Sequence, residues 1–332
     1  MKNFKKVLAL VLAVATLLSF ATIASASVAD FNDSKDVKHT EAVGILSTIG
    51  VLNGYKDGSY KPGRVITRAE AAKIIAMFDN GDTNIKELYA PVDFTDVASN
   101  HWAQSYISYC YHTGIIAGVG NKKYAPEAEV TGVQFLKMVL VVLGFDAKEE
   151  GLVGTGYSVR ARNLAREVGL LEGIGNDFDY TKGLSRDNAA QMVWNAMNAY
   201  EVEYKTSLIA GPDGKLSTQI TVQDKMSSEK QRITLLEDKY EAKKVDAGQL
   251  LTCSKVDGKD YYSITTKDSA GKTTTYNKIY ADVSDFIGQN IKVLRKVDAT
   301  SNEVTIYGVY ADEDSKVIAS SSVGTLDTVK TS

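Results

Sequence analysis

The chain has 332 residues, 44% hydrophobic and 24% charged, with a formal net charge of −3. That is an ordinary globular composition, enough for about two domains. The excess of acid argues against sequence-independent nucleic-acid binding, which needs a basic surface.

The N-terminus reads as an export signal. Lys2, Lys5 and Lys6 precede an almost unbroken apolar run from Val7 to Phe20, and Ala24-Ser25-Ala26 supplies a small-x-small cleavage site. Residues 1–26 are therefore expected to be a signal peptide, cleaved before Ser27. An uncleaved membrane anchor is the alternative. Cleavage removes three of the 38 basic side chains and none of the 41 acidic ones, leaving a mature chain that is more acidic still. Such a chain is secreted, and no membrane contact is expected after cleavage. It contains no Leu-Pro pair, so a sortase signal of the Leu-Pro-x-Thr-Gly type is absent.

The next 170 residues repeat. Gly50-Val51-Leu52-Asn53-Gly54 recurs as Gly114-Ile115-Ile116-Ala117-Gly118 and as Gly169-Leu170-Leu171-Glu172-Gly173. Each copy is followed by a tyrosine, at 60, 124 and 180. Then come Ile66-Thr67-Arg68-Ala69-Glu70, Val130-Thr131-Gly132-Val133-Gln134 and Leu184-Ser185-Arg186-Asp187-Asn188. The step from the first glycine to the aligned apolar residue is 16, 16 and 15 residues. Each copy predicts helix, loop, helix. First helices are expected at about 38–49, 101–113 and 157–168, closed by Gly50, Gly114 and Gly169 as left-handed caps. Second helices show one buried face: Ala71, Ile74, Ile75 and Phe78, with Phe135, Met138, Val139 and Val142, and Ala189, Met192, Val193 and Ala196 as counterparts. One such unit cannot bury its stripe alone, and three can share a core.

Thr67-x-x-Glu70 and Thr131-x-x-Gln134 form capping boxes, and Ser185 can cap with Asn188 as a weaker partner. Arg68 and Arg186 stand at the first helical position, where the macrodipole disfavours cations. Free N–H groups at a helix start, with a guanidinium beside them, suit a carboxylate or phosphate; a merely solvated arginine is the bland alternative. Trp102 offers a flat face to a sugar ring or packs in the core. Trp194 reads as packing. Asp57-Gly58 reads as a turn. The spacing Asn53, Tyr55, Asp57 resembles part of a calcium loop, but Arg64 occupies the twelfth position, so no metal is expected. Tyr55 is a candidate groove residue.

These motifs carry a family resemblance. Residues 28–200 resemble three tandem S-layer homology (SLH) repeats, on Phe31-Asn32-Asp33, Gly54-Tyr55-Lys56-Asp57-Gly58 and Thr67-Arg68-Ala69-Glu70 in the first, and Phe94-Thr95-Asp96-Val97 and His101-Trp102-Ala103 in the second. The resemblance implies a pseudo-threefold helical bundle with repeats at 28–80, 92–146 and 155–200. It also implies binding of a secondary cell-wall polysaccharide, often with pyruvylated sugars, in grooves between repeats. The implied site residues are Arg68, Arg186, Trp102, Asp57, Gly58 and Tyr55. Gly132 replaces the arginine in the second copy, and the third lacks the usual opening, so an asymmetric bundle with one or two good sites is expected.

From residue 201 the pattern changes. Thr252–Val256, Tyr261–Thr266, Thr273–Tyr280, Ile291–Val297 and Val304–Tyr310 read as strands, with a helical turn at Val283–Gly288. The fold class expected is α+β multidomain, the helical bundle being followed by a small β-rich barrel or sandwich over 201–311 and a flexible tail at 312–332. Cys110 and Cys253 are read as buried hydrophobes in separate domains. Two thiols and three histidines give no zinc spacing, and no Gly-x-Ser-x-Gly elbow or Walker loop occurs, so neither cofactor nor catalytic site is expected. The function implied is non-enzymatic anchoring at the cell surface, in a surface layer or envelope. Self-association into such a layer is a further possibility, and a wall-associated glycan hydrolase using the repeats as anchor is the alternative.

Overall fold

A computed structural model describes residues 31–81, 85, 89–210, 215–298 and 301–312. The expected signal peptide, and the expected tail at 312–332 apart from Asp312, lie outside the described residues. The chain divides into two compact units that meet in sequence between Glu241 and Ala242.

In the first unit the repeats form three helix pairs: α1 (Thr40–Thr48) with α2 (Arg68–Asn80), α3 (Gln104–His112) with α4 (Gly132–Val142), and α5 (Tyr157–Glu167) with α6 (Arg186–Asn198). Gly50, Gly114 and Gly169 follow the first helices with φ of 82°, 77° and 77°, the left-handed close expected of them. The packing is cyclic. Each second helix lies against the first helix of the next pair, α2 on α3 and α4 on α5, and α6 returns to α1. The second helices also touch one another, α2 with α4 and α4 with α6.

A small hydrogen-bonded ring ties the three pairs together. Ile66 N–H donates to Leu184 O, Leu184 N–H to Val130 O, and Val130 N–H to Ile66 O, at 3.0, 2.9 and 3.1 Å. These are the aligned apolar residues that precede each second helix. All three side chains are fully buried, and burial of each contributes roughly 1.5–3 kcal/mol. The carboxylates of Asp33 and Asp96 fasten the loops. Asp33 accepts from Tyr60 and Lys61 N–H, both at 2.7 Å, and Asp96 from Tyr124 and Ala125 N–H at 2.9 and 2.8 Å. Lys61 and Ala125 sit at positive φ, so each loop is held by its aspartate in a left-handed bend.

The first unit continues past the helices. Strands β1 (Val202–Ala210) and β2 (Leu216–Asp224) form an antiparallel hairpin, and α7 (Leu235–Tyr240) packs on α6. Tyr240 donates its hydroxyl to the carbonyls of Met77 and Phe78 at the end of α2, 3.1 Å each. Beneath the hairpin, Lys225 pairs with the buried Glu201 at 3.3 Å and with Asp238 at 2.8 Å.

The second unit is a single five-stranded antiparallel sheet in the order β5-β4-β3-β6-β7. Its strands are β3 (Ala242–Lys255), β4 (Tyr262–Lys267), β5 (Thr273–Ile279), β6 (Asn290–Val297) and β7 (Val304–Ala311). The expected barrel or sandwich is corrected here: among the described residues no closed barrel forms, because no ladder joins β5 to β7 and no second sheet of this unit stacks on it. Instead the long β3 pairs with β6 through its first half and β4 through its second, with bulges in both ladders. Bulges bend a strand and increase its twist. The curled sheet encloses Leu250, Ile264, Ile291 and Val293 against Phe286 of the expected short turn, a 3-10 helix at Ser284–Phe286.

Both cysteines are free. Cys110 is fully buried and Cys253 half-buried.

Candidate functional site

Two grooves open on the first unit, and they are built from equivalent parts. The first, about 530 Å³, runs between the loop at 51–56 and the face of α2 carrying Glu70, Lys73 and Ile74; Trp102, Glu127 and Arg186 complete it. The second, about 360 Å³, runs between the loop at 115–119 and the face of α4 carrying Gln134, Lys137 and Met138; Arg68, Leu152 and Tyr157 complete it. Glu70, Lys73 and Ile74 occupy the same helical positions as Gln134, Lys137 and Met138. Arg186 and Arg68 are likewise equivalent, each the first residue of the second helix in the preceding pair around the ring.

The arginines are held in one way. Arg186 is 6% exposed, lies over Tyr55 and Tyr60 at 4.9 and 4.7 Å from the ring centres, and donates to Asn53 O. Arg68 lies over Tyr124 at 4.4 Å and donates to Tyr124 O and Ala117 O at 2.8 and 3.2 Å. Each tyrosine returns a hydrogen bond to the arginine's own carbonyl, Tyr60 to Arg186 O at 3.2 Å and Tyr124 to Arg68 O at 2.8 Å. Burial pushes both phenols well above their ordinary pKa, so they remain donors. A guanidinium has five N–H donors, and Arg68 uses only two groups of them on protein.

The helix starts themselves are not anion sites, contrary to the expectation. Arg68 and Ala69 N–H donate to Ala128 O and Pro126 O; Gly132 and Val133 N–H to Lys182 O and Tyr180 O; Arg186 and Asp187 N–H to Arg64 O and Pro62 O, all at 2.8–3.1 Å. The third N–H is taken by the cap: Glu70 by Thr67, Gln134 by Thr131 and Asn188 by Ser185. These donors close the ring between pairs, so only side chains are left to meet an anion.

Each groove carries a lysine. Lys73 and Lys137 are half-buried and, among the described residues, make no hydrogen bond or ion pair. Burial lowers the pKa of both, and the nearby Arg186 lowers that of Lys73 further. Glu70 offsets part of this at Lys73, whereas at Lys137 burial acts alone; a desolvated ammonium without a counter-charge is a standing cost that a bound anion relieves. The first groove also holds acids. Burial pulls the pKa of Glu70 up, but the Thr67 N–H and the Arg64 guanidinium more than offset this and leave it lowered. Arg64 also donates to the Tyr55 hydroxyl, which bonds Glu70 at 3.2 Å. Glu127 faces His101 at 3.4 Å.

Of the residues singled out from sequence, Tyr55, Trp102 and Arg186 meet in the first groove and Arg68 lies in the second. Trp102 is 53% exposed and stacked on His101, whereas Trp194 is buried. Asp57 and Gly58 line neither groove. Asp57 accepts from Ser59 and pairs with Lys61 at 2.8 Å, which holds its carboxyl well below the usual range. Gly58 supplies the positive φ of that turn. Lys73, Lys137, Glu127 and Tyr157 escaped the sequence reading; the signal for the lysines is their shared position, five residues after the start of α2 and of α4.

The corresponding position set around α6 has no cation. Gly132 stands where the arginines stand, and a Cβ there would lie 2.7 Å from the Phe178 ring. Gln191 stands where the lysines stand. Among the described residues no group of His, Cys, Asp or Glu could hold a metal, and no helix is long and apolar enough to cross a membrane.

Residues 30–72 and 93–136 match the S-layer homology domain family. The chain is similar to a cell surface protein of Thermoanaerobacter kivui, 27% identical over 88% of this chain and 35% of that protein. It is also similar to the S-layer protein EA1 of Bacillus anthracis, 26% identical over 71% of this chain and 28% of that one. An amylopullulanase of Thermoanaerobacterium thermosulfurigenes is 28% identical over 50% of this chain and 9% of its own length. The chain thus spans about a third or less of the relatives it matches.

Proposed function

We propose that this chain holds itself non-covalently to the cell wall by binding an anionic, pyruvylated secondary cell-wall polysaccharide in the two grooves of its first unit. The observation that carries this reading is the recurrence, in both grooves, of an unpaired half-buried lysine beside a tyrosine-stacked arginine. Residues 155–200 act as a third repeat in this reading: they complete the ring and supply Arg186 to the first groove and Tyr157 to the second. The cyclic packing of the helix pairs supports a pseudo-threefold bundle. The S-layer homology domains and the surface-protein relatives support a location at the cell surface, with the rest of the chain a non-enzymatic envelope or surface-layer component that self-associates. The amylopullulanase similarity favours a second reading, a wall-associated enzyme that uses these repeats as anchor. The part shared with that enzyme is only 9% of it.

Trp102 provides the test. Purified wall polymer titrated into the chain is expected to shift Trp102 emission, with no such shift in Trp102→Phe, since Trp194 is buried away from solvent. Emission that stays unchanged up to millimolar polymer contradicts the proposal.

A further inference from the structure

We infer that the outer edge of β2 docks the β2 edge of a second copy of this chain, the two hairpins joining edge to edge about a two-fold axis at Ile220. This rests on the self-association in the reading above and deepens it by naming the surface; the polymer grooves play no part in it.

The two edges of the hairpin differ. β1 leans on the helical body: Val202 N–H donates to Leu143 O at 2.9 Å, and the Tyr204 hydroxyl accepts from Asp146 N–H and donates to Glu150 at 3.1 and 2.9 Å. β1 also carries Glu203 and Lys205, charges of the kind that blunt a sheet edge. β2 has neither cover nor charge. Among the described residues no strand pairs with its outer side, and Ser217 to Gln223 holds no charged residue, proline or glycine. An uncharged edge rich in β-branched residues is a template for pairing with another chain. A lone two-stranded hairpin is marginal, whereas a sheet of three or more strands is stable by itself.

The backbone sets the register. Opposed residues in an antiparallel ladder alternate between pairs that exchange hydrogen bonds and pairs that do not. Val202 sends its N–H away from β2, so Val202–Asp224 is a pair of the second kind, and with it Tyr204–Val222, Thr206–Ile220 and Leu208–Thr218. The N–H and C=O groups of Thr218, Ile220 and Val222 therefore point out from the free edge. A second copy turned about a two-fold axis offers the same row in reverse. With the axis at Ile220, that residue meets its own counterpart and Thr218 meets Val222, and all three exchange both hydrogen bonds. No like charges oppose one another, and the side chains that meet are β-branched, which suits cross-strand pairing. Ile220, 45% exposed in the single chain, gains cover. One strand edge is small beside the roughly 800 Å² per partner of a stable complex. The contact is therefore weak in dilute solution and forms when chains are held close together at high effective concentration.

Sedimentation velocity of the full chain, from micromolar to millimolar, reads the association. Wild type is expected to dimerise reversibly. Ile220→Lys, which sets two like charges at the axis, is expected to raise the dimer dissociation constant about tenfold or more. Geometry is read in Ile220→Cys on a Cys253→Ser background. Opposed residues that exchange hydrogen bonds have Cα atoms about 5.5 Å apart, within disulfide reach, so mild oxidation is expected to give a covalent dimer. Leu208→Cys on the same background lies three strand spacings from its counterpart, roughly 14 Å, and is expected to give none. Association that Ile220→Lys leaves unchanged, or cross-linking as strong in Leu208→Cys as in Ile220→Cys, overturns the inference and moves self-association to another surface. Wild type that stays monomeric throughout overturns the inference together with the self-association it rests on.

Discussion

Arg68→Ala separates a structural arginine from a binding one. From sequence, an arginine at the first helical position opposes the macrodipole, so its removal should leave folding intact or slightly improved. The contacts reverse that expectation. Arg68 donates to Tyr124 O and Ala117 O and covers the Tyr124 ring. Two half-exposed hydrogen bonds contribute about 0.5–1.5 kcal/mol each, and the ring contact about 0.5–1 kcal/mol. Relief at the helix start returns only about 0.3–1 kcal/mol. The net loss is about 2 kcal/mol, which for a unit of this size lowers Tm by roughly 4–8 °C. Calorimetry of wild type, Arg68→Ala and Arg68→Lys checks it, with polymer binding measured well below all three midpoints. Lysine keeps the charge but cannot serve two carbonyls and stack at once, so it is expected to melt low while retaining part of the binding. An unchanged Tm in Arg68→Ala refutes the reasoning and returns Arg68 to the role of a free, solvated cation.

Gly132→Ala drives a methyl to 2.7 Å from the Phe178 ring; overpacking of this kind costs about 1–3 kcal/mol, read as a lower urea midpoint, and no change would mean that Phe178 yields freely. Lys225→Met leaves the buried Glu201 without its cation; because Lys225 is one-third exposed, the loss expected at pH 7 is about 2–3 kcal/mol. That loss shrinks toward pH 4, since burial already raises the Glu201 pKa and a protonated carboxyl needs no partner. Glu70 has a lowered pKa in the folded chain, so its ionised form adds stability above the ordinary value of about 4.3 and this is lost as pH falls through the lowered value. In Glu70→Gln, urea midpoints between pH 6 and 2 are therefore expected to fall less steeply than in wild type.

What could be read from the sequence was local. The three glycine caps, the capping boxes at Thr67 and Thr131 and the buried faces of α2, α4 and α6 depend on residues within a turn or two of each other. So do β4, β5, β6 and β7, whose alternation of Val, Ile, Thr and Tyr is plain. The first half of β3 was missed, since Lys243, Lys244 and Asp246 interrupt its apolar positions. The hairpin was missed as well, and the turn read at 211–214 lies outside the described residues. Leu208, Leu216 and Ile220 share one face there but are separated by Thr, Gln and Ser. Helix α7 spans six residues, too few to show periodicity, yet its Thr234-x-x-Glu237 box repeats the signature that opens α2. The grooves were the least legible part. Carbonyls that take the helix-start N–H groups come from about 60 residues on in the chain for α2 and more than 120 back for α6, and local sequence carries no mark of them. Lys73 and Lys137 are marked only by sharing one helical position that faces a groove, which periodicity alone does not distinguish from any exposed lysine.

The most direct test of the central claim is sedimentation of the purified chain with native wall sacculi and with sacculi stripped of their secondary polymer. Pelleting with native walls alone, lost in the double variant Lys73→Gln, Lys137→Gln while its unfolding midpoint holds, is the result expected of polymer-directed anchoring through the two grooves. Equal pelleting with both walls, or with neither, contradicts it.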